Sequence, residues 1–249
     1  MSQDNTILEG LSAVQREAVV NYDGPTLIIA GAGSGKTRVL TFKIAYLLTQ
    51  GYQPWQILAL TFTNKAAREM QTRISTQVGQ QSASQLWMGT FHSIFCRILR
   101  YEADRIGFHS DFTIYDAADS KTLITALIKE MGLDEKVYKP SHVCSQISRA
   151  KNALVLPSQY SASAQLRQAD NAARMPMIHE IYARYYARCR MANAMDFDDI
   201  LLYTWQLLNE HPDVTERYAS RFRYVLVDEY QDTNYAQHQI VWLLARNHR

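Results

Sequence analysis

One stretch of the sequence constrains the fold more than any other: an aliphatic run that leads into alternating glycines and a lysine. Residues 27–30 are aliphatic, glycines occupy positions 31, 33 and 35, and Lys36 and Thr37 follow. Glycine allows successive backbone N–H groups to turn inward, where they form a nest for phosphate oxygens. A helix that begins near Lys36 adds the positive end of its dipole, and the lysine adds a charge. We therefore predict a buried strand at residues 27–30, then a phosphate-binding loop and a helix.

The match is to the relaxed form of the P-loop pattern, because Ala30 stands where the strict pattern has a glycine. A dinucleotide-binding fingerprint fails, because Lys36 stands where its third glycine would be. The alternative is a glycine turn with an exposed lysine. We expect the hydroxyl of Thr37 to bind Mg²⁺. The residues expected to hold the nucleotide, which we take to be ATP, are Ala32, Gly33, Ser34, Gly35, Lys36 and Thr37.

The composition limits the classes of protein to which the chain can belong. With 249 residues and a hydrophobic content of 47%, it can bury one large core or two modest ones. The net charge of +2 gives no global signal for nucleic acid, so any basic surface must be local. The three cysteines lie far apart, which argues against a metal cluster and favours a reducing compartment. No apolar run approaches the length of a membrane span, so we expect a cytoplasmic protein without a membrane partner.

Two further strands are predicted at residues 56–62 and 86–88, and polar side chains follow each of them. A strand, a polar turn and a helix form an α/β unit, whose ligands bind at the carboxyl ends of strands. Phe62, Thr63, Asn64 and Lys65 combine an aromatic face, small hydrogen-bonding groups and a cation, which suits single-stranded nucleic acid with stacked bases. The alternative is a buried phenylalanine with a capping asparagine. His92 follows the second strand and so also lies at the carboxyl end of a strand. The alternative to a functional role is a histidine that caps a helix or is hydrogen-bonded in the core.

An apolar strand predicted at residues 224–227 ends in two carboxylates, Asp228 and Glu229. Beside a phosphate-binding loop, the first carboxylate can hold Mg²⁺ through its water shell. The second can orient and deprotonate an attacking water. Helix N-capping is the alternative for such a pair. Because Lys36 and Thr37 occur in the same chain, we favour the catalytic interpretation.

After a fourth short strand at residues 112–115, the strand pattern gives way to predicted helices over residues 116–195, with a loop at 157–174. Between positions 139 and 195 the sequence contains eight Lys and Arg residues but only two acidic residues, Asp170 and Glu180. This local excess of positive charge would attract a polyanion. Solvated helix faces are the alternative. The basic residues are Lys139, Arg149, Lys151, Arg167, Arg174, Arg184, Arg188 and Arg190.

Six stretches of the sequence, taken together, resemble the UvrD/Rep/PcrA-type DNA helicases of superfamily 1. Their joint occurrence in this order is far more specific than any one of them. They are Leu11-Ser-Ala-Val-Gln15-Arg-Glu-Ala-Val, Ala30-Gly-Ala-Gly-Ser-Gly-Lys-Thr-Arg38, Thr61-Phe-Thr-Asn-Lys-Ala-Ala, Gly89-Thr-Phe-His-Ser, Asp196-Phe-Asp-Asp and Val227-Asp-Glu-Tyr-Gln-Asp-Thr-Asn234.

The resemblance implies roles for individual residues. Gln15, otherwise a candidate surface glutamine, resembles the residue that contacts adenine. Arg38 resembles a nucleotide contact, Arg73 is expected near the phosphates, and Gln231 resembles the residue that couples hydrolysis to movement. Glu229, Lys36, Asp228 and Gln231 are thus the expected catalytic group, with Thr37 and Asp228 as metal ligands. The residues expected to line the DNA track are Phe62, Thr63, Asn64, Thr90, Phe91 and His92.

The resemblance also implies an organisation and an activity. The expected fold is α/β, a RecA-like P-loop sheet flanked by helices with an inserted all-helical subdomain. Residues 1–115 and 196–249 resemble subdomain 1A, and residues 116–195 resemble subdomain 1B. The implied activity is ATP-driven 3′-to-5′ movement on single-stranded DNA and at single/double-strand junctions, with roles in DNA repair. The alternatives are the motor subunit of a helicase–nuclease, or a nucleotide- and DNA-binding module without turnover.

In this family a second RecA-like domain with arginine fingers follows the acidic strand, and this sequence stops at Arg249, before that domain. We therefore expect an N-terminal fragment that is monomeric, binds ATP–Mg²⁺ weakly and does not unwind DNA alone.

Overall fold

The computed structural model describes residues 7–31 and 33–247. Contacts divide the chain into two compact units. Unit 1 takes the described parts of Met1–Ile94, His211–Thr233 and Val241–Arg249, and unit 2 takes Phe95–Glu210 and Asn234–Ile240. Within the described residues, no helix has both the length and the apolar character needed to cross a bilayer.

Short strands are separated along the chain by helices. The strands are β1 (Ile57–Thr61), β2 (Trp87–Thr90), β3 (Thr113–Tyr115), β4 (Ala194–Asp196) and β5 (Tyr224–Val227). The helices of the first half include α1 (Ala13–Val20), α2 (Lys36–Thr49), α3 (Asn64–Val78), α4 (Gln80–Gln85), α5 (Phe91–Tyr101) and α6 (Ala117–Glu130). Those of the second half include α7 (Pro140–Asn152), α8 (Pro157–Ala162), α9 (Ala164–Ala172), α10 (Ile178–Met191), α11 (Phe197–Glu210), α12 (Pro212–Arg221) and α13 (Tyr235–Ala245).

The sheet of unit 1 has three parallel strands in the order β2-β1-β5. The central strand β1 is buried along its whole length, as expected for an apolar run with neighbours on both edges. Ile44 and Leu47 of α2 and Met70 and Ile74 of α3 pack in one core with β1. The predicted α/β class, a parallel sheet flanked by helices, is confirmed.

The predicted strand at residues 27–30 is wrong. These residues have no regular secondary structure, and Leu27 and Ile29 are 74% and 89% exposed. A strand persists only where a neighbour pairs with its backbone groups, and the described strands of unit 1 pair only with one another. The aliphatic run indicates a segment that can be buried, but it carries no information about which segment would cover it.

Unit 2 is built from helices and one small sheet. The strand predicted near residue 113 is present as β3, and it pairs in parallel with β4. The core is formed by buried side chains of α6, α7 and α10, among them Ile128, Ile147 and Tyr182. The loop predicted at residues 157–174 is wrong, because Pro157 begins α8 and the hydroxyl of Ser163 caps α9 by accepting a hydrogen bond from Leu166 N at 3.3 Å.

Candidate active site

The glycine-rich loop has the backbone that the sequence predicts. Gly33 and Gly35 adopt positive φ angles of 76° and 85°, a region that favours glycine. Gly35 is the N-cap of α2, so Lys36 is the first helical residue and Thr37 the second. The Ser34 hydroxyl closes the turn by donating to the carbonyl of Gly31 at 2.6 Å. Ala32, also predicted in this loop, lies outside the described residues.

The side chain of Lys36 points back over the loop and toward an acidic residue. Its ammonium group donates to the carbonyl oxygen of Ala30 at 3.0 Å and lies 3.9 Å from Oε1 of Glu229. At 27% and 41% exposure, both side chains remain reachable from solvent. The structure thus brings the predicted phosphate-binding lysine and the predicted base together.

The carboxyl end of β5 holds the predicted acidic pair. The N–H of Asp228 donates to Leu60 O at 2.9 Å, which extends the pairing with β1 by one residue. Burial, and then the negative charge of Glu229, raise the pKa of Asp228. Glu229 has a left-handed backbone with φ 52°, and its Oε2 accepts a hydrogen bond from Nε2 of Gln231 at 2.5 Å.

Two oxygen ligands suited to a magnesium ion lie side by side. The hydroxyl of Thr37 donates a hydrogen bond to the carboxylate of Asp228, which is only 7% exposed. Mg²⁺ is a hard cation that is held by one or two protein oxygens together with waters and substrate phosphates. This pair of donors fits such an ion.

The three residues expected to contact the rest of the nucleotide have different surroundings. Gln15 lies against the loop, where its Nε2 donates to Ser34 O at 3.0 Å. Arg38 donates to Gly10 O at 3.0 Å. Arg73 forms an ion pair with Glu69 one turn earlier on the exposed face of α3. The geometry places Gln15 at the loop, and the nucleotide roles of all three residues stay predictions.

The predicted DNA residues lie at the carboxyl ends of the adjacent strands β1 and β2. The rings of Phe62 and Phe91 are 5.1 Å apart, and Phe91 is buried while Phe62 is half-buried. Thr63 caps α3 by accepting from Ala66 N at 3.1 Å.

Thr90 does the same for α5, where its hydroxyl accepts from Ser93 N at 3.2 Å. Asn64 is exposed and His92 half-buried. Of the six side chains, Phe62, Thr63, Asn64 and His92 are thus accessible for contact with a ligand, and the DNA role of the set stays a prediction.

Half of the basic residues counted between positions 139 and 195 are committed to contacts inside unit 2. Arg184 pairs with Glu180 and Arg188 with Glu130. Arg190 donates to Ile106 O at 3.1 Å. The surface excess of charge is therefore smaller than the sequence count indicates.

Lys151 is the fourth of these committed basic residues, and its side chain is completely buried. Its Nζ lies 2.7 Å from both Asp196 Oδ2 and Asp199 Oδ1. Sequence reasoning missed this cluster. Its only signal is the pair of acids three positions apart at the start of α11, which predicts a helix cap but does not name a partner.

Comparison with known proteins gives a consistent family. The model of the family described as "UvrD/REP helicase N-terminal domain" matches residues 11–249. The chain is 45% identical over 242 residues to an ATP-dependent DNA helicase PcrA of Bacillus subtilis, 44% to one of Leuconostoc citreum and 46% to one of Staphylococcus aureus. Each alignment covers 97% of this chain and 32% of the relative. The chain therefore spans about a third of the length of these curated relatives.

Proposed function

This chain belongs to the family of UvrD/REP helicase N-terminal domains, and from that premise we propose that it supplies the ATP-hydrolysing half of a DNA motor. The substrate is ATP with Mg²⁺, and the track is single-stranded DNA. The observation that carries the proposal is the convergence of Lys36 with Glu229, 3.9 Å apart, beside the hydrogen-bonded pair of Thr37 and Asp228. The relatives' printed name, ATP-dependent DNA helicase, supports the same conclusion.

Each residue of this group has a chemical task in the proposed hydrolysis. The loop N–H groups and Lys36 bind the β- and γ-phosphates and offset their charge. Thr37 and Asp228 would hold the magnesium ion, which neutralises charge that develops on the phosphates. Glu229 orients the attacking water and accepts its proton. Gln231 holds one oxygen of Glu229 by the hydrogen bond at 2.5 Å and so fixes which oxygen faces the water.

The finer parts of the proposal concern the DNA and the organisation of the protein. We assign residues 1–115 and 196–249 to a RecA-like subdomain 1A and residues 116–195 to a helical subdomain 1B. Phe62, Thr63, Asn64 and His92 supply the DNA contacts, with Thr90 and Phe91 behind them. Gln15 contacts adenine. The complete motor moves 3′ to 5′ and acts at single/double-strand junctions in the cytoplasm. This chain alone is monomeric.

The deciding experiment uses a complete helicase, meaning a polypeptide in which this chain is followed by the C-terminal two thirds of a PcrA relative. We expect single-stranded DNA to stimulate its ATP hydrolysis, and Lys36→Ala to lower kcat by about a hundredfold or more while leaving DNA affinity within about twofold. Lys129→Ala, which removes an exposed lysine of α6, is the matched control and should leave both hydrolysis and DNA affinity unchanged. Hydrolysis that survives Lys36→Ala would show that the loop is not the ATP site.

The chain by itself gives a second measurement. We propose that residues 1–249, which span about a third of the length of the curated relatives, bind ATP–Mg²⁺ weakly on their own and hydrolyse it far more slowly than the complete helicase. DNA-stimulated turnover by the purified chain at the rate of the complete helicase would contradict this.

A further inference from the structure

The last residue of α7, Asn152, joins the starts of two helices in unit 2. Its Nδ2 donates to Oδ1 of Asp198, in the first turn of α11, at 2.8 Å. Its Oδ1 accepts a hydrogen bond from Nδ2 of Asn234 at 2.6 Å. The orientation of this amide is determined by its neighbours, because an ionised aspartate can only accept hydrogen bonds. Asn152 must therefore present its oxygen to Asn234.

The support behind Asn152 is rigid. Lys151, the preceding residue, is fully buried between Asp196 and Asp199, at 2.7 Å from each. These two acids also cap each other's backbone, since Asp199 N donates to Asp196 at 2.8 Å and Asp196 N donates to Asp199 at 3.1 Å. The ends of α7 and α11 are thereby fixed to each other. A shift of Asn152 would require breaking a buried ion cluster, which is strongly unfavourable because it leaves a buried charge without its partner.

Asn234, on the other side of the bridge, is the point at which the loop after the acidic pair ends. It caps α13 reciprocally with Gln237: Gln237 N donates to Asn234 Oδ1 at 2.8 Å, and Asn234 N donates to Gln237 Oε1 at 2.9 Å. The side-chain oxygen of Asn234 thus accepts a hydrogen bond from Gln237, and its side-chain nitrogen donates one to Asn152. At the other end of the loop, Asp228 N is bonded to Leu60 O. The five residues between Asp228 and Asn234 are held at both ends.

Within this loop, Glu229 is the residue whose conformation needs outside support. Its φ of 52° is a left-handed conformation that is strained for a non-glycine residue and persists only where the surroundings enforce it. The ammonium group of Lys36 lies 3.9 Å from its carboxylate, and backbone bonds such as Asp232 N to Glu229 O at 2.9 Å join residues close in the sequence. An anchor at Asn234 supplies a constraint that these local bonds lack.

We propose that Asn152 is a positioning residue for Glu229: by holding Asn234 it fixes the far end of the loop that presents the base. This inference rests on the proposed function, in which Glu229 activates water. Asn152 is not among the residues assigned to the ATP site, and it acts through its bond to Asn234. Asn152 therefore affects the rate of hydrolysis only through the stretch of chain from Asn234 to Glu229.

The test is steady-state ATP hydrolysis by the complete helicase with saturating single-stranded DNA. Asn152→Asp keeps the acceptor for Asn234 but sets a carboxylate against Asp198. We expect kcat to fall about tenfold, a normal size for a small misplacement of a catalytic group, with the KM for ATP within about twofold because the phosphate loop is untouched. Adding Asp198→Asn turns the pair around, so that position 198 donates to position 152, and should restore kcat to near its original value.

Two further variants separate positioning from folding. Asn152→Ala removes the bonds to Asn234 and Asp198, together with a bond from Nδ2 to Ser148 O at 2.9 Å within α7, and adds no charge. It should lower kcat in the same way and serves if Asn152→Asp proves unstable. Ser145→Ala is the matched control, since that exposed residue of α7 bonds only to Ser141 O within the helix, at 3.0 Å. It should leave kcat and KM unchanged.

An unchanged kcat in Asn152→Asp and Asn152→Ala, measured against an active parent, would overturn this inference alone. A fall in kcat that Asp198→Asn does not reverse, or one accompanied by an equal rise in KM and a lower Tm, would also overturn it. Absence of DNA-stimulated hydrolysis in the parent would overturn the proposed function and this inference together.

Discussion

The two units bury their side chains in opposite ways. Unit 1 leaves Leu27 and Ile29 largely exposed, whereas unit 2 buries the ammonium group of Lys151 completely between two carboxylates. Side-chain hydrophobicity alone would predict the reverse. What differs is the partner: Lys151 finds Asp196 and Asp199 within the chain, and the aliphatic run finds no described strand to pair with. Burial thus follows from the partner that the fold supplies as much as from the residue type.

The same lesson holds inside unit 1. Residues of β1 and β5 are similarly apolar, but β1 is fully buried whereas every residue of β5 is only partly buried. β1 has a neighbouring strand on each edge and β5 has one on a single edge. A continuous apolar run therefore predicts a strand that can be central, and the number of neighbours decides how much of it is covered.

The largest expected effect tests the buried ion cluster of unit 2. Lys151→Met should lower the free energy of unfolding by about 3–5 kcal/mol, because it leaves two buried carboxylates without their counter-ion. Urea titration followed by circular dichroism measures this. Lys129→Met, which removes an exposed lysine 3.5 Å from Glu135, is the matched control and should change little. Equal stability of the two variants would show that the cluster is hydrated in solution.

The second prediction compares two leucines of unit 1. Leu60→Ala in β1, fully buried, should cost about 2–5 kcal/mol of unfolding free energy through lost burial and a residual cavity. Leu27→Ala, in the exposed aliphatic run, should stay within about 0.5 kcal/mol of the parent. The same urea titration measures both. If Leu27→Ala cost as much as Leu60→Ala, the aliphatic run would be packed in solution and the contrast between the units would disappear.

The smallest expected effect is a pH dependence that belongs to unit 2. Burial raises the pKa of Asp199 to about 7, and the pKa of Asp196 is lowered because the ammonium group of Lys151 outweighs burial there. Asp199 therefore binds a proton more tightly in the folded state than in the unfolded chain. The stability that this contributes is present at low pH and is lost as the pH rises through about 7.

We expect the free energy of unfolding to fall by about 1 kcal/mol or more between pH 5 and pH 8 through this group. Asp199→Asn, which keeps an acceptor for the backbone of Asp196 but cannot ionise, should flatten that part of the profile. Urea titrations at the two pH values measure the difference. An identical slope in parent and variant would assign the pH dependence to other groups.

Local signals were enough to predict much of the candidate site. The glycine turn, the helix start at Lys36 and the strands that end near Phe62, His92 and Asp228 follow from residue types over a few positions, because turn conformation and helix capping are local properties. The contact between Lys36 and Glu229 does not follow from such signals, because the strand predicted at residues 27–30 is not formed and only Glu229 follows a strand of the described sheet.

The rest depends on contacts between residues that are distant in the sequence. Nothing near Lys151 indicates that it meets acids 45 and 48 positions later. The bridge from Asn152 to Asn234 spans 82 positions. Such pairs are specified by how helices pack, and a pattern of period 3.6 shows which face is apolar without showing what it meets.

The left-handed backbone at Glu229 has a consequence for any attempt to improve the protein. At φ 52°, glycine or asparagine is easier to accommodate than glutamate, so selection for thermal robustness alone would favour replacing this residue. The gain would remove the carboxylate that we assign to water activation. At this position thermal stability and catalytic turnover favour different residues. A library of variants selected only for thermal stability would therefore lose the carboxylate on which the proposed chemistry depends.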